Sequence, residues 1–123
     1  MSDTKIYEQL GGHNSIVAFV DELFSRVKQD EVIGRYWAYR GTDGLARERQ
    51  LAIEYFEVLT EGSDYYSGRD MLKTHQGMGI SKEDWQIFIN HVDSVMTDFS
   101  LPNKLQIKML NLITELKDEI IEM

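Results

Sequence analysis

At 123 residues the chain is long enough to bury one real core and too short for two, which predicts a single domain over residues 1–123. Acidic residues outnumber basic ones 21 to 13, and a net charge of −8 spread along the chain argues against nucleic acid or an anionic membrane as partner, since phosphate binding needs clustered Lys and Arg. The absence of cysteine removes disulfides, iron–sulfur clusters and thiolate zinc sites, and the opening "MSDTKIYEQLGG" carries no signal peptide, so a cytoplasmic protein is expected.

One proline and many strong helix formers predict an all-α fold punctuated by glycine. In "TKIYEQL", Ile6, Tyr7 and Leu10 share a face, and Gly11-Gly12 stop the helix. From Asn14 onward, Ile16, Val17, Val20, Leu23, Phe24 and Val27 follow the three-and-four spacing of an amphipathic helix. "DEVIGRYW" reads as a short helical turn, and "AYRGTDG" as a turn-rich connection. A helix over 45–59 buries Leu51, Ala52, Tyr55, Phe56 and Leu59, and "TEGSDYYSGRD" follows as a loop. In "SKED", Ser81 and Asp84 form a capping box for a helix that buries Trp85, Phe88, Ile89, Val92, Val95, Met96 and Phe99. Pro102 marks the start of a last helix, with Leu105, Met109, Leu112, Ile113, Leu116 and Ile120 as its stripe.

Between the two long helices lies "MLKTHQGMGI", residues 71–80, holding one of only three histidines. Met71 and His75 share a face if this segment turns helically, Met78 and Ile80 add apolar side chains, and Gly77 and Gly79 permit a sharp exit. A lone histidine is more often structural than ligating, and a metal held by one protein ligand is held weakly. A porphyrin changes that balance, because it brings four nitrogens and asks the protein for one imidazole and an apolar slot. Phe24, Tyr36, Trp37, Tyr55, Phe56, Trp85 and Phe88 face inward and suit such a slot, yet they suit an ordinary core equally well. His13 and His91 have no partner at ligand spacing, and carboxylate pairs such as Glu119 with Glu122 come with no sign of a cavity, so acid–base catalysis has no support.

The segments "IYEQLGG", "FVDELFSRVKQDEVIGRYW" and "YYSGRDMLKTHQGMGIS" together resemble the truncated hemoglobins, specifically their first, N-type group, over nearly the whole chain. The resemblance implies a two-over-two helical sandwich that binds heme b, with His75 as proximal iron ligand. It implies Phe56, Met71, Thr74, Met78, Ile80, Trp85, Phe88 and Ile113 as heme-lining residues, and Tyr66 and Lys73 as neighbours of the propionates. Gly11-Gly12 and Gly62 match the family's glycine motifs, which loosen the chain around the cofactor. On the distal side the chain departs from the family. Phe24 stands where a tyrosine is usual, Trp37 replaces a phenylalanine, and Glu48, Leu51 and Ala52, with Tyr55 nearby, occupy positions that are often polar; Gln50 points elsewhere. The connection before them is about three residues longer than usual. Trp37, Tyr36, Tyr39 and Tyr55 remain as candidate donors to a bound ligand. The implied function is reversible binding of oxygen, nitric oxide or carbon monoxide, including oxidation of nitric oxide with electrons from a separate reductase. A heme-based sensor or interaction protein, and a helical binding module that has lost the heme, remain open beside it.

Overall fold

Gly11 and Gly12 take φ of 111° and 81°, a region that side chains disfavour, and there the chain reverses from α1 (Ile6–Leu10) into α2 (His13–Gln29). The computed structural model describes residues 5–38 and 41–122, and all regular structure among them is helical. Asp30 stops α2: its carboxylate accepts the N–H groups of Val32 and Ile33 at 2.8 and 3.1 Å and turns the chain into a 3₁₀ turn, Ile33–Trp37. The other Asp30 oxygen meets His91 at 2.8 Å, which ties this corner to a later helix. The remaining elements are α3 (Thr42–Leu59), α4 (Met71–His75), α5 (Lys82–Asp98), α6 (Asn103–Thr114) and α7 (Lys117–Ile120).

α2 packs on α3 and on α5, and α5 packs on α6, which makes two helix pairs set against one another. This is the two-over-two sandwich that the sequence resemblance implied. Between α2 and α5, Val20, Leu23, Val27, Val92, Val95 and Met96 are wholly buried. Burying each such side chain is worth about 1.5–3 kcal/mol, so this seam is the mechanical centre of the fold. Ser81 and Asp84 form the capping box expected of "SKED", each side chain accepting the other's backbone N–H.

Four expectations need correction. α3 begins at Thr42 rather than Leu45, so "TDG" forms its first turn and the connection before it is shorter than it reads. The last stripe is divided at Glu115–Leu116 between α6 and α7. Phe99 is 41 % exposed, because it caps α5 beyond its last turn instead of lying on the buried face. Gly62 does not loosen the chain: the Tyr7 ring packs directly on it, and a Cβ there would sit 2.2 Å from a ring carbon.

Candidate functional site

Along α3, Gly44, Arg47, Glu48, Leu51, Ala52, Tyr55 and Phe56 recur at intervals of three and four, and this whole face lines a cavity of about 420 Å³. Met71, Thr74 and His75 of α4 line it too, followed by Met78 and Ile80. Phe24 of α2 with Ile33, Tyr36 and Trp37 of the 3₁₀ turn contribute another part of the wall, as do Asp84, Trp85 and Phe88 of α5. Ile113, Leu116 and Ile120 come from the final helices, and Tyr66 from the loop before α4. Arg47 and Thr74 are exposed although they line the cavity, which places its mouth between α3 and α4.

Every residue singled out in the sequence for the cofactor slot lies on this cavity except Lys73. On a helix of 100° per residue, Met71, Thr74 and His75 occupy one face of α4, and Lys73 falls on the exposed side. The cation that does line the cavity is Arg47, which the sequence reading passed over along with Gly44, Ile33 and Asp84. The three-and-four spacing from Leu51 could have been extended backward to Arg47 and Gly44; the turn-like look of "TDG" concealed it. Leu116 and Ile120 were expected on an apolar stripe, but that stripe gave no sign of facing a cavity. Tyr39 lies outside the described residues.

His75 Nδ1 lies 2.8 Å from the backbone carbonyl oxygen of Met71, one turn earlier. A carbonyl only accepts, so the neutral ring carries its proton on Nδ1 and its lone pair on Nε2. Such a bond fixes both the tautomer and the ring orientation of a ligating histidine. Among the described residues no three His, Cys, Asp or Glu side chains gather to hold a bare metal ion.

The polar groups around the cavity are largely committed to each other. The Tyr36 hydroxyl donates to Asp84 at 2.7 Å, and Arg35 donates to the same oxygen at 2.9 Å. Burial pushes the Asp84 carboxyl upward, but hydrogen bonds from Tyr36, the Ser81 backbone, Arg35 and the Ser81 hydroxyl outweigh it and bring it down to about 2. Burial, together with the hydrogen bond to Asp84, pushes Tyr36 up to about 12. The Trp37 indole N–H donates to the Glu48 carboxylate, and Phe24 stands beside it with ring centroids 6.2 Å apart. Gln50 is exposed and bonds to Glu54 at 3.0 Å, away from the cavity as expected. Tyr55 and Tyr66 meet edge to face at 5.2 Å on the same wall, and burial raises both hydroxyls.

His13 and His91 serve elsewhere, on Glu57 at 2.6 Å and on Asp30 at 2.8 Å. No helix of the described residues is long and apolar enough to cross a membrane.

The family model described as bacterial-like globin matches residues 5–122. The chain belongs to that globin family. Among its relatives, the group 1 truncated hemoglobin GlbN of Mycolicibacterium paratuberculosis is 28% identical, over 94% of this chain and 82% of its own. The protein of the same name from Nostoc sp. is also 28% identical, over 94% of this globin and 96% of its own length. The Fe(III) form of the truncated hemoglobin from Tetrahymena pyriformis superposes with a TM-score of 0.89 at 20% identity, covering 98% of this chain and all of the other. The group 1 resemblance read from the sequence is borne out, and membership of the family implies heme-based gas binding. The residues of this globin fit that cofactor: a largely apolar cavity, one histidine with its tautomer fixed, and a cation at the mouth.

Proposed function

We propose that the protein binds heme b, with His75 as proximal ligand and a diatomic gas such as oxygen taken up on the α3 side. The observation that carries this reading is the placement of His75 on α4, across an apolar cavity from α3, with Nδ1 donating to Met71 and the Nε2 lone pair left for a metal. Bound heme supplies iron with four nitrogens already in place and a coordination position at which a gas is held. Thioether attachment is excluded because the chain has no cysteine. Met71, Met78, Trp85 and Phe88 exclude water from the His75 side. Arg47, with Tyr66 and Thr74, offers the charge and hydrogen bonds that carboxylates need at the mouth. On the α3 side Leu51, Ala52 and Phe24 are apolar, while the Trp37 N–H and the Tyr36 O–H already have acceptors in Glu48 and Asp84. With these two donors engaged, a weaker hydrogen-bonded hold on bound oxygen is expected than a distal tyrosine would give.

Absorption spectra of the purified protein in ferric, ferrous and carbon monoxide states test the cofactor. His75→Gly is expected to lose most of the heme or its normal ferrous spectrum, with partial recovery on adding imidazole. A His75→Gly protein with the wild-type ferrous spectrum would show that the proximal assignment is wrong.

A further inference from the structure

α4 is five residues long and contains no fully buried residue; Met71 packs on the edge of the core, so core packing holds it only in part. At its start Asp70 accepts the Lys73 N–H at 2.8 Å. At its end the chain turns sharply, the Met78 N–H returning to the His75 carbonyl at 3.1 Å, with Gly77 and Gly79 at φ of 86° and 67°. Two glycines in three residues leave this turn conformationally permissive on its own. Glu122, just beyond α7, takes that freedom away. One of its carboxylate oxygens accepts the Gly77 N–H at 2.8 Å and the other accepts the Gly79 N–H at 2.6 Å. Its own backbone N–H donates to the Ile80 carbonyl at 2.9 Å. The two amides flank Met78, whose own N–H is already taken by the His75 carbonyl, so the carboxylate bridges the turn from one side to the other, much as an anion sits in a backbone nest.

The pinned segment matters because of what it carries. His75 precedes it, Met78 and Ile80 lie within or beside it, and Ile120, two residues before Glu122, lines the same cavity. α7 itself packs on α4. We propose that Glu122 is a positioning residue for the His75 imidazole, its carboxylate holding the 77–79 turn in the conformation that presents His75, Met78 and Ile80 to the cavity together. The inference rests on the reading of His75 as heme ligand. It gives a role to a carboxylate that the sequence showed only as one of a pair with Glu119, without a cavity beside it.

The test uses the heme-loaded full chain as wild type, Glu122→Gln and Glu122→Ala. Three readouts are taken: the iron–imidazole stretching band of the ferrous protein by resonance Raman, hemin transfer to apomyoglobin, and amide hydrogen exchange over residues 76–80. Glu122→Ala is expected to shift or broaden the band, to speed hemin transfer about tenfold, and to raise exchange at Gly77 and Gly79. Glu122→Gln, which keeps the size and one acceptor oxygen, should fall between, and it decides the matter alone if the alanine variant does not fold. Variants that melt earlier but keep the wild-type band and transfer rate would overturn the proposal, since Glu122 would then only stabilise. A wild-type ferrous protein without an iron–imidazole band, or with one indifferent to His75→Gly, would overturn the ligand reading first and this inference with it.

Discussion

Phe24 stands where the family resemblance leads one to expect a tyrosine, and its ring lines the cavity beside Trp37. A hydroxyl added there supplies a donor in a dry, apolar setting, where a hydrogen bond to a polarised ligand is worth about 1–1.5 kcal/mol. Phe24→Tyr is therefore expected to slow oxygen dissociation about tenfold and carbon monoxide dissociation much less, measured by stopped flow and flash photolysis. Equal changes for both gases would point to steric obstruction instead. Asp84 makes a second prediction. Its carboxyl is only 5 % exposed and lies at about 2, below the ordinary value of about 3.9, so the folded state favours the ionised form. The resulting stabilisation, on the order of 2 kcal/mol, is present in full above pH 4 and is lost as pH falls toward 2. Asp84→Asn should accordingly be less stable than wild type at neutral pH in urea unfolding, with the gap closing between pH 4 and pH 2. A gap independent of pH would mean that the network around Tyr36 and Arg35 holds Asp84 by shape and not by charge.

Between elements, Gly62 packs directly against the ring of Tyr7, whose N–H also donates to the Thr60 carbonyl at 3.0 Å. Because a Cβ at Gly62 meets the root of the ring and not a flexible tip, Gly62→Ala must push α1 away from the end of α3. A loss of roughly 1–3 kcal/mol in urea unfolding is expected, and pairing it with Tyr7→Ala should recover part of it. A neutral Gly62→Ala would show that α1 moves freely at that contact. Such contacts are invisible in a sequence, whereas the stripes on α2 and α5 were plain, since one face of each meets other helices and periodicity reports that directly. α3 was harder to read. Its face from Gly44 to Phe56 lines the cavity while Ile53 is buried in the core, and three-and-four spacing looks the same whether the stripe meets a helix or a cofactor. Phe19 escaped for a related reason: it lies beside the main stripe of α2, yet its ring meets Phe56 edge to face at 5.3 Å. The histidine segment was placed on the cavity by the family resemblance, and Met71, Thr74, His75, Met78 and Ile80 do line it; spacing alone left a lone histidine with no assigned role. Glu122, 47 positions from His75, could be linked to it only by the fold.

Across the whole molecule, burial is uneven. The fully buried side chains cluster where α2 meets α5, while α1 and α4 have no buried residue at all. Local stability follows buried contact, so the His75 side of the cavity should open first when the protein is stripped of heme. Limited proteolysis of heme-free and heme-loaded protein is expected to cut within residues 61–79 in the first and to spare them in the second; equal cutting would mean that α4 holds itself in place. A cofactor that binds only the closed arrangement stabilises it by mass action, by about 2.7 kcal/mol when its free concentration is a hundred times its dissociation constant. On the proposed heme binding, the lifetime of this chain in a cell is expected to follow porphyrin and iron supply. Scarcity would then remove the protein through degradation of its open form, without any change in the rate at which it is made.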